Sequence, residues 1–215
     1  LLHINDFSTN CKFVKYVDDT SIWEACSYDG HGSQMLMAAD QVLSWSNQDN
    51  MSLNFDKTKE LVIYFGRKQL QIPQTVIDGH KIEQVKSFKL LGIVFNTSLT
   101  WQDHVDYLCE KVSKRMYFLT LLKRAGVSPE DLLHFFTHSI KSVLEYGCIV
   151  WHPGLTAEQT SLLEHYQIRA LQAAYPDAPS YEAALSLAGM KSLAERREDC
   201  CKDDHKLNFL LERRV

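Results

Sequence analysis

Two periodicities share the chain, a period near two in the first half and one near 3.6 in the second. In the first half, Phe13 to Val17 and Thr20 to Trp23 flank the adjacent carboxylates Asp18 and Asp19. Tyr, Val, Thr, Ile and Trp suit a pleated, half-buried surface, whereas Asp is depleted from strands and common in turns. The pattern predicts a tight hairpin with Asp18 and Asp19 at its tip. A loop over Tyr28 to Gly32 comes next, then a helix from about Ser33 whose rough stripe is Leu36, Met37, Asp40, Leu43 and Trp45, ending at Asn47 to Asn50. Met51 to Lys59 leads into a strand over Glu60 to Phe65, stopped by Gly66. Thr75 to Ile82 reads as a hairpin around Asp78-Gly79, and Ser87 to Phe95 as one strand in which Gly92 signals a bulge or a close backbone approach.

From Thr100 the pattern becomes helical. Thr100 with Asp103 makes a capping-box-like start, and Val105, Leu108, Val112, Leu119 and Leu122 recur until Gly126. Ser128-Pro129-Glu130-Asp131 opens a second helix that passes Leu132, Phe136, Ile140 and Val143 and ends near Tyr146-Gly147. Val150 to Gly154 reads as a turn, Thr156 to about Tyr175 as a third helix before Pro176, and shorter helices begin after Ser180 and Ser192. The fold class is α+β, with the change of pattern at residues 97 and 98.

Composition adds bounds. The 215 residues, 45% hydrophobic and 23% charged, suffice for one good core or two small ones. A net charge of −4 is not that of a stand-alone nucleic-acid binder, so any such contact must use a local basic stripe. No apolar run is long enough to span a bilayer and no signal peptide opens the chain, so no membrane partner and an intracellular location are expected. Six cysteines at irregular spacings fit reduced thiols. Leu1 in place of an initiator Met, and an end at Val215 within a helical pattern, lead us to expect a fragment.

Asp18 and Asp19 are the first chemical candidates. Adjacent carboxylates repel, and a site that keeps both ionised needs a cation; Asp oxygens suit hard Mg²⁺. From spacing alone, plain turn chemistry is the commoner reason for an Asp-Asp pair in a turn. Cys200-Cys201 with His205 lacks the second ligand pair of a zinc site, and His134 and His138 lack the Glu of H-E-x-x-H. The chain carries no Gly-rich phosphate loop and no G-x-S-x-G elbow.

Tyr16-Val17-Asp18-Asp19 between two apolar strands resembles the Y/F-x-D-D box of reverse transcriptases. Lys15 to Thr20 most resembles the version in non-long-terminal-repeat (LINE-like) retrotransposons. Trp45, then Leu53-Asn54-x-x-Lys57-Thr58, resembles that family's fourth palm motif, and Phe88-Lys89-Leu90-Leu91-Gly92 resembles the strand that closes the palm as a primer grip. The three stand in the family's order. Weaker similarities are Leu1 to Phe7, like the end of the helix after the second palm motif, and Tyr146-Gly147-x-x-Val150-Trp151 with Leu163-x-x-x-Gln167-x-x-Ala170-Leu171.

The resemblance implies a partial polymerase palm at residues 1–97, an antiparallel sheet with hairpins and a helix, and after it an all-α thumb-like region at 98–215. It implies RNA-directed DNA polymerase chemistry by two-metal nucleotidyl transfer with Mg²⁺ or Mn²⁺, on an RNA template, a DNA primer and a deoxynucleoside triphosphate. Asp18 and Asp19 would be catalytic and metal-binding, with Asp18 the more direct ligand. Lys57 would stand beside the triphosphate. Tyr16, Val17, Lys89, Leu91 and Gly92 would lie near the nucleotide or primer end, and Lys111, Lys114, Arg115, Lys123 and Arg124 along the template–primer phosphates. The family's compartments are cytoplasm and nucleus. Val17 stands where such boxes more often carry Ala. The first palm motif, with the other metal-binding Asp, is not in these 215 residues, so this chain alone is expected to be inactive. Cations at a helix C-terminus also complement its dipole, so the basic residues have a purely structural reading. The competing function is a truncated or co-opted remnant whose helices bind RNA or a protein. A metal phosphohydrolase built on the Asp pair ranks last, because no further acids or histidines cluster with it.

Overall fold

The computed structural model describes residues 7–17, 19–25, 33–66 and 72–212, with side chains to residue 203. Strand and helix segregate along the chain, helix dominating, and two units separate: Leu1–Phe88 with Asn96–Ser98, and Lys89–Phe95 with Leu99–Val215.

In the first unit, β1 (Lys12–Tyr16) and β2 (Asp19–Trp23) pair antiparallel, Tyr16 opposite Asp19 and Lys12 opposite Trp23. Asp19 therefore belongs to the ladder rather than to the tip, which corrects the expected hairpin by one residue. Val17 adopts φ 57, a left-handed conformation that a β-branched side chain rarely takes. Phe13 packs edge-on against Phe7 at 5.1 Å, and Phe7 against Trp45 at 5.3 Å. The Lys15 ammonium lies over all three rings, 4.9 to 5.6 Å from their centroids. Trp45 belongs to α1 (Met35–Gln48), whose Ala38 and Ala39 are buried. The expected loop at residues 28–32 lies outside the described residues.

The strand expected over Glu60 to Phe65 is reduced to β3 (Lys59–Glu60). Its parallel partner β6 (Glu83–Gln84) is itself two residues long, so the ladder ends with it. Beyond Glu60 the chain is held by a bond from Tyr64 N–H to the Thr97 carbonyl at 3.1 Å, and Phe65 is exposed. Between these strands, β4 (Val76–Ile77) and β5 (His80–Lys81) form the predicted hairpin. Asp78 and Gly79 take φ 50 and 74, the pair of positive values that a two-residue turn of this hand requires. Ala39, Ile77 and Ile82 form a small core, with Leu43, Leu53 and Phe55 against it.

The single strand expected at Ser87 to Phe95 is a hairpin, β7 (Ser87–Leu90) and β8 (Ile93–Asn96). The chain reverses at Leu91-Gly92, where φ is 46 and 87. Glycine occupies one left-handed position freely, but Leu rather than Asn or Asp occupies the other, and an unbroken apolar run hides the turn.

The second unit contains α2 (Gln102–Arg124), α3 (Pro129–Phe135), a π-helical turn at Phe136–Lys141, α4 (Ser142–Leu144) and α5 (Cys148–Trp151). A 3₁₀ turn, His152–Gly154, precedes α6 (Ala157–Ala174), α7 (Tyr181–Ala188) and α8 (Leu193–Glu212). Val105, Leu108, Val112, Met116 and Leu119 are the buried stripe of α2, packed with Phe136, Ile140, Leu144, Trp151, Leu163 and Leu193. Helix starts obey local chemistry. Ser128 Oγ accepts from Asp131 N–H at 3.2 Å, and Thr156 and Gln159 form a complete capping box. Gln159 also donates from Nε2 to the Thr100 carbonyl at 3.1 Å, fastening α6 to the approach of α2. Thr100 is thus not the cap of α2. That position is Trp101, at φ 60, whose buried ring fixes the backbone there. The Val150 to Gly154 turn is also corrected. Trp151 is wholly buried at the end of α5 and donates from Nε1 to the Tyr146 carbonyl at 3.0 Å, which needs a helical approach. Glu164 on α6 accepts from the backbone N–H groups of Leu193 and Ala194, both at 3.0 Å, and so supplies the anion that the start of α8 favours. Among the described residues no helix is long and apolar enough to cross a membrane.

Candidate nucleotide and nucleic-acid sites

In the first unit the hairpin places Tyr16 and Asp19 directly across from each other, with Val17 in the connection. Tyr16 and Val17 are 61% and 58% exposed, unusual for side chains of this size and a sign that the tip is displayed rather than packed. Asp19 is exposed as well, and among the described residues it has no ion pair. Asp18 lies outside the described residues.

Lys57 stands on its own turn, and the motif around it builds that turn. Leu53 anchors in the small core. The Asn54 side chain accepts from Lys57 N–H at 3.1 Å, while the Asn54 carbonyl accepts from Thr58 N–H at 3.0 Å and from Thr58 Oγ1 at 2.9 Å. Leu, Asn and Thr are therefore structural, and they present an exposed Lys57. Phe55 stacks on His80 at 4.3 Å between centroids. Together with Ser52, Leu53, Asn54 and Asp56 they line a depression of about 510 Å³.

In the second unit the turn at Leu91-Gly92 is seated on Tyr146. The Tyr146 hydroxyl donates to the Leu91 carbonyl at 3.0 Å, and a Cβ on Gly92 would meet the Tyr146 ring at 3.0 Å. The close approach expected at Gly92 is therefore to a side chain. Lys89 and Lys111 converge on Tyr107, their ammonium groups 5.3 and 5.0 Å from its ring centroid. The hydrogen bond with Lys111, reinforced by the charges of Lys111 and Lys89, holds the Tyr107 phenol below its ordinary pKa.

The other basic candidates are differently engaged. Lys114 pairs with Glu110 at 2.9 Å, an exposed i,i+4 contact that holds the Glu110 carboxyl below the usual carboxylate range. Arg115 is half-buried and donates from Nη1 to the Ser139 carbonyl inside the π turn, so it braces the fold there. Lys123 and Arg124 lie in the last turn of α2, where they complement the helix dipole. Behind Tyr107, His104 is fully buried, 5.2 Å edge-on from Trp151, with Nδ1 accepting from Val94 N–H at 3.3 Å and Nε2 without a partner. Burial lowers its pKa to about 4, so it is neutral at physiological pH.

Tyr107 and His104 belong to no motif in the sequence, and Tyr146 stands only in the weaker Tyr146-Gly147-x-x-Val150-Trp151 similarity. Tyr107 had a legible signal, since it lies four residues before Lys111 on a helix. The seat that Tyr146 gives the Leu91-Gly92 turn had none, because the two are far apart in sequence. Among the described residues no group of three His, Cys, Asp or Glu side chains is arranged to hold a metal ion. Compared with family models, curated proteins and solved structures, the chain matches none of them.

Proposed function

We propose that this chain carries the later palm and the thumb-like helices of an RNA-directed DNA polymerase of a LINE-like retrotransposon. The supporting observation is that three boxes in family order, Tyr16 to Asp19, Leu53 to Thr58 and Phe88 to Gly92, each coincide with a tight turn. Displayed turns leave the Asp19 carboxylate, the Lys57 ammonium and the Leu91-Gly92 backbone region at the surface, where a substrate could meet them.

Asp oxygens are the donor class that Mg²⁺ takes, and an exposed Asp19 without an ion pair among the described residues fits that use. Asp18 and Asp19 would hold the metal, which when bound supplies activation of the primer 3′-hydroxyl and charge stabilisation of the leaving pyrophosphate. Lys57 offsets charge on the triphosphate or gives a proton to the leaving group. Tyr16 and Val17 border the incoming nucleotide, and the Leu91-Gly92 turn offers backbone to the primer end.

The test is to sequence the native transcript upstream of Leu1. An in-frame Asp-bearing first motif and a Gly-Gln second motif are expected. The protein containing them should extend a primer on an RNA template, with the activity abolished by Asp18→Asn. Translation beginning within this segment would overturn the proposal in favour of a non-catalytic binding module. The 215-residue chain by itself is expected to show no extension, because it supplies the Asp pair without the first motif's carboxylate.

A further inference from the structure

Lys89 and Lys111 come from different elements, β7 and α2, yet both reach the same phenol ring. Neither has a carboxylate partner among the described residues; of the acids on α2, Glu110 pairs with Lys114, Asp106 accepts from Gln102 Nε2 at 2.9 Å, and Asp103, one turn before Tyr107, is exposed and joins neither lysine in an ion pair. Two ammonium groups held about one ring repel each other unless an anion or solvent screens them. Each brings three donors and no acceptor, and the phenol brings a hydroxyl. That set is complementary to an oxyanion with several free oxygens.

The stripe beyond the cluster indicates what carries the oxyanion. Tyr107, Lys111, Lys114 and Phe118 recur at spacings that keep them on one face of α2. Phe118 is 56% exposed and lies about 10 Å along the helix from Lys111. A free phosphate has no use for an exposed aromatic ring at that distance. A nucleic-acid strand does, because a base beside the bound phosphate can stack on it.

We infer that Lys89, Tyr107 and Lys111 form one phosphate-binding subsite, which grips a single backbone phosphate of a nucleic-acid strand. The strand as partner rests on the polymerase reading; the oxyanion chemistry does not. Tyr107 is the member that neither motif nor charge had marked. Its ring holds the two ammonium groups together, and its hydroxyl adds a neutral donor.

The experiment is fluorescence anisotropy of a labelled single-stranded oligodeoxynucleotide titrated with the full chain over a range of salt. Losing one phosphate contact on a single strand lowers the slope of log K against log salt by about 0.7. Because one phosphate is shared and either lysine alone still neutralises it, Lys89→Ala and Lys111→Ala should each weaken binding with the slope nearly unchanged, whereas the double variant should lower the slope by about 0.7. Tyr107→Phe, which keeps the ring, should weaken binding about fivefold at constant slope, the loss of one hydrogen bond. Lys202→Ala, on α8, should change neither. Slope losses in both single variants that add in the double variant, or an unchanged slope in the double variant, would overturn the shared subsite while leaving the polymerase reading untouched. Inorganic phosphate, titrated as a competitor, separates the two sources. Displacement only at large excess supports a strand phosphate, whereas tight phosphate binding lost in the same variants keeps the oxyanion site and overturns the strand. Absence of binding by both probes at low salt overturns the inference entirely.

Discussion

In the helical unit a continuous core runs from Ile93 through α2 to Leu193, with Trp151 at zero exposure within it. In the sheet-bearing unit, Ala39, Ile77 and Ile82 form the corresponding cluster, and β3 to β6 are each two residues long. The helical unit is thus specified mainly by apolar volume, and the sheet-bearing unit by turn chemistry: the Asn54 side chain, Asp78-Gly79, and a left-handed Val17. Recognition chemistry on a thinly packed scaffold depends on turns being right one by one. Chemistry on the helical unit inherits its geometry from the core.

The comparison breaks most visibly at Trp151. Trp151→Ala removes a ring packed by His104 and Arg197 and should cost about 3–5 kcal/mol, read as a lower urea midpoint by circular dichroism. Next comes acid. His104 has its pKa lowered to about 4, against about 6.5 in an unfolded chain, so the unfolded state binds more protons between those values. Stability should be flat above about pH 6.5 and fall by the order of 3 kcal/mol as pH drops to 4, and His104→Asn should flatten that limb. In the sheet-bearing unit Ile82→Ala should cost about 2 kcal/mol, the low end for such truncations, because a small core collapses readily. Segment-resolved hydrogen exchange would read it, and a loss equal to that of Trp151→Ala would end the contrast. The smallest effect has the opposite sign. Val17→Gly should stabilise the hairpin by about 1 kcal/mol, relief of left-handed strain exceeding the entropy that glycine adds to the unfolded chain.

The helices were legible where a cap and a stripe coincided, as at Ser128-Pro129 and at Thr156 with Gln159. The Asp78-Gly79 turn was legible for the same reason, since local residues alone decide it. The hidden features are those decided by distant partners. Leu91-Gly92 is a turn seated on Tyr146, Trp101 takes a left-handed cap position with its ring buried, and the Glu60 to Phe65 run ends as a strand when β6 ends. The candidate site divides likewise. Its Asp and Lys residues are readable as a linear pattern, while the meeting of Lys89 with Lys111 at Tyr107 exists only after the chain folds.

The π turn at Phe136–Lys141 bears on how the chain tolerates change in length. A π turn spaces its hydrogen bonds one residue wider than an α-helix, so it stores a surplus residue without rotating the helix beyond it. Deleting a residue there would let the turn close into ordinary α-helix with Leu144 and Trp151 still facing the core, whereas the same deletion in mid-α2 would swing every later side chain by about 100°. The segment is a slack point in an otherwise length-critical unit. Arg115, reaching the Ser139 carbonyl, is the side chain that takes up the slack.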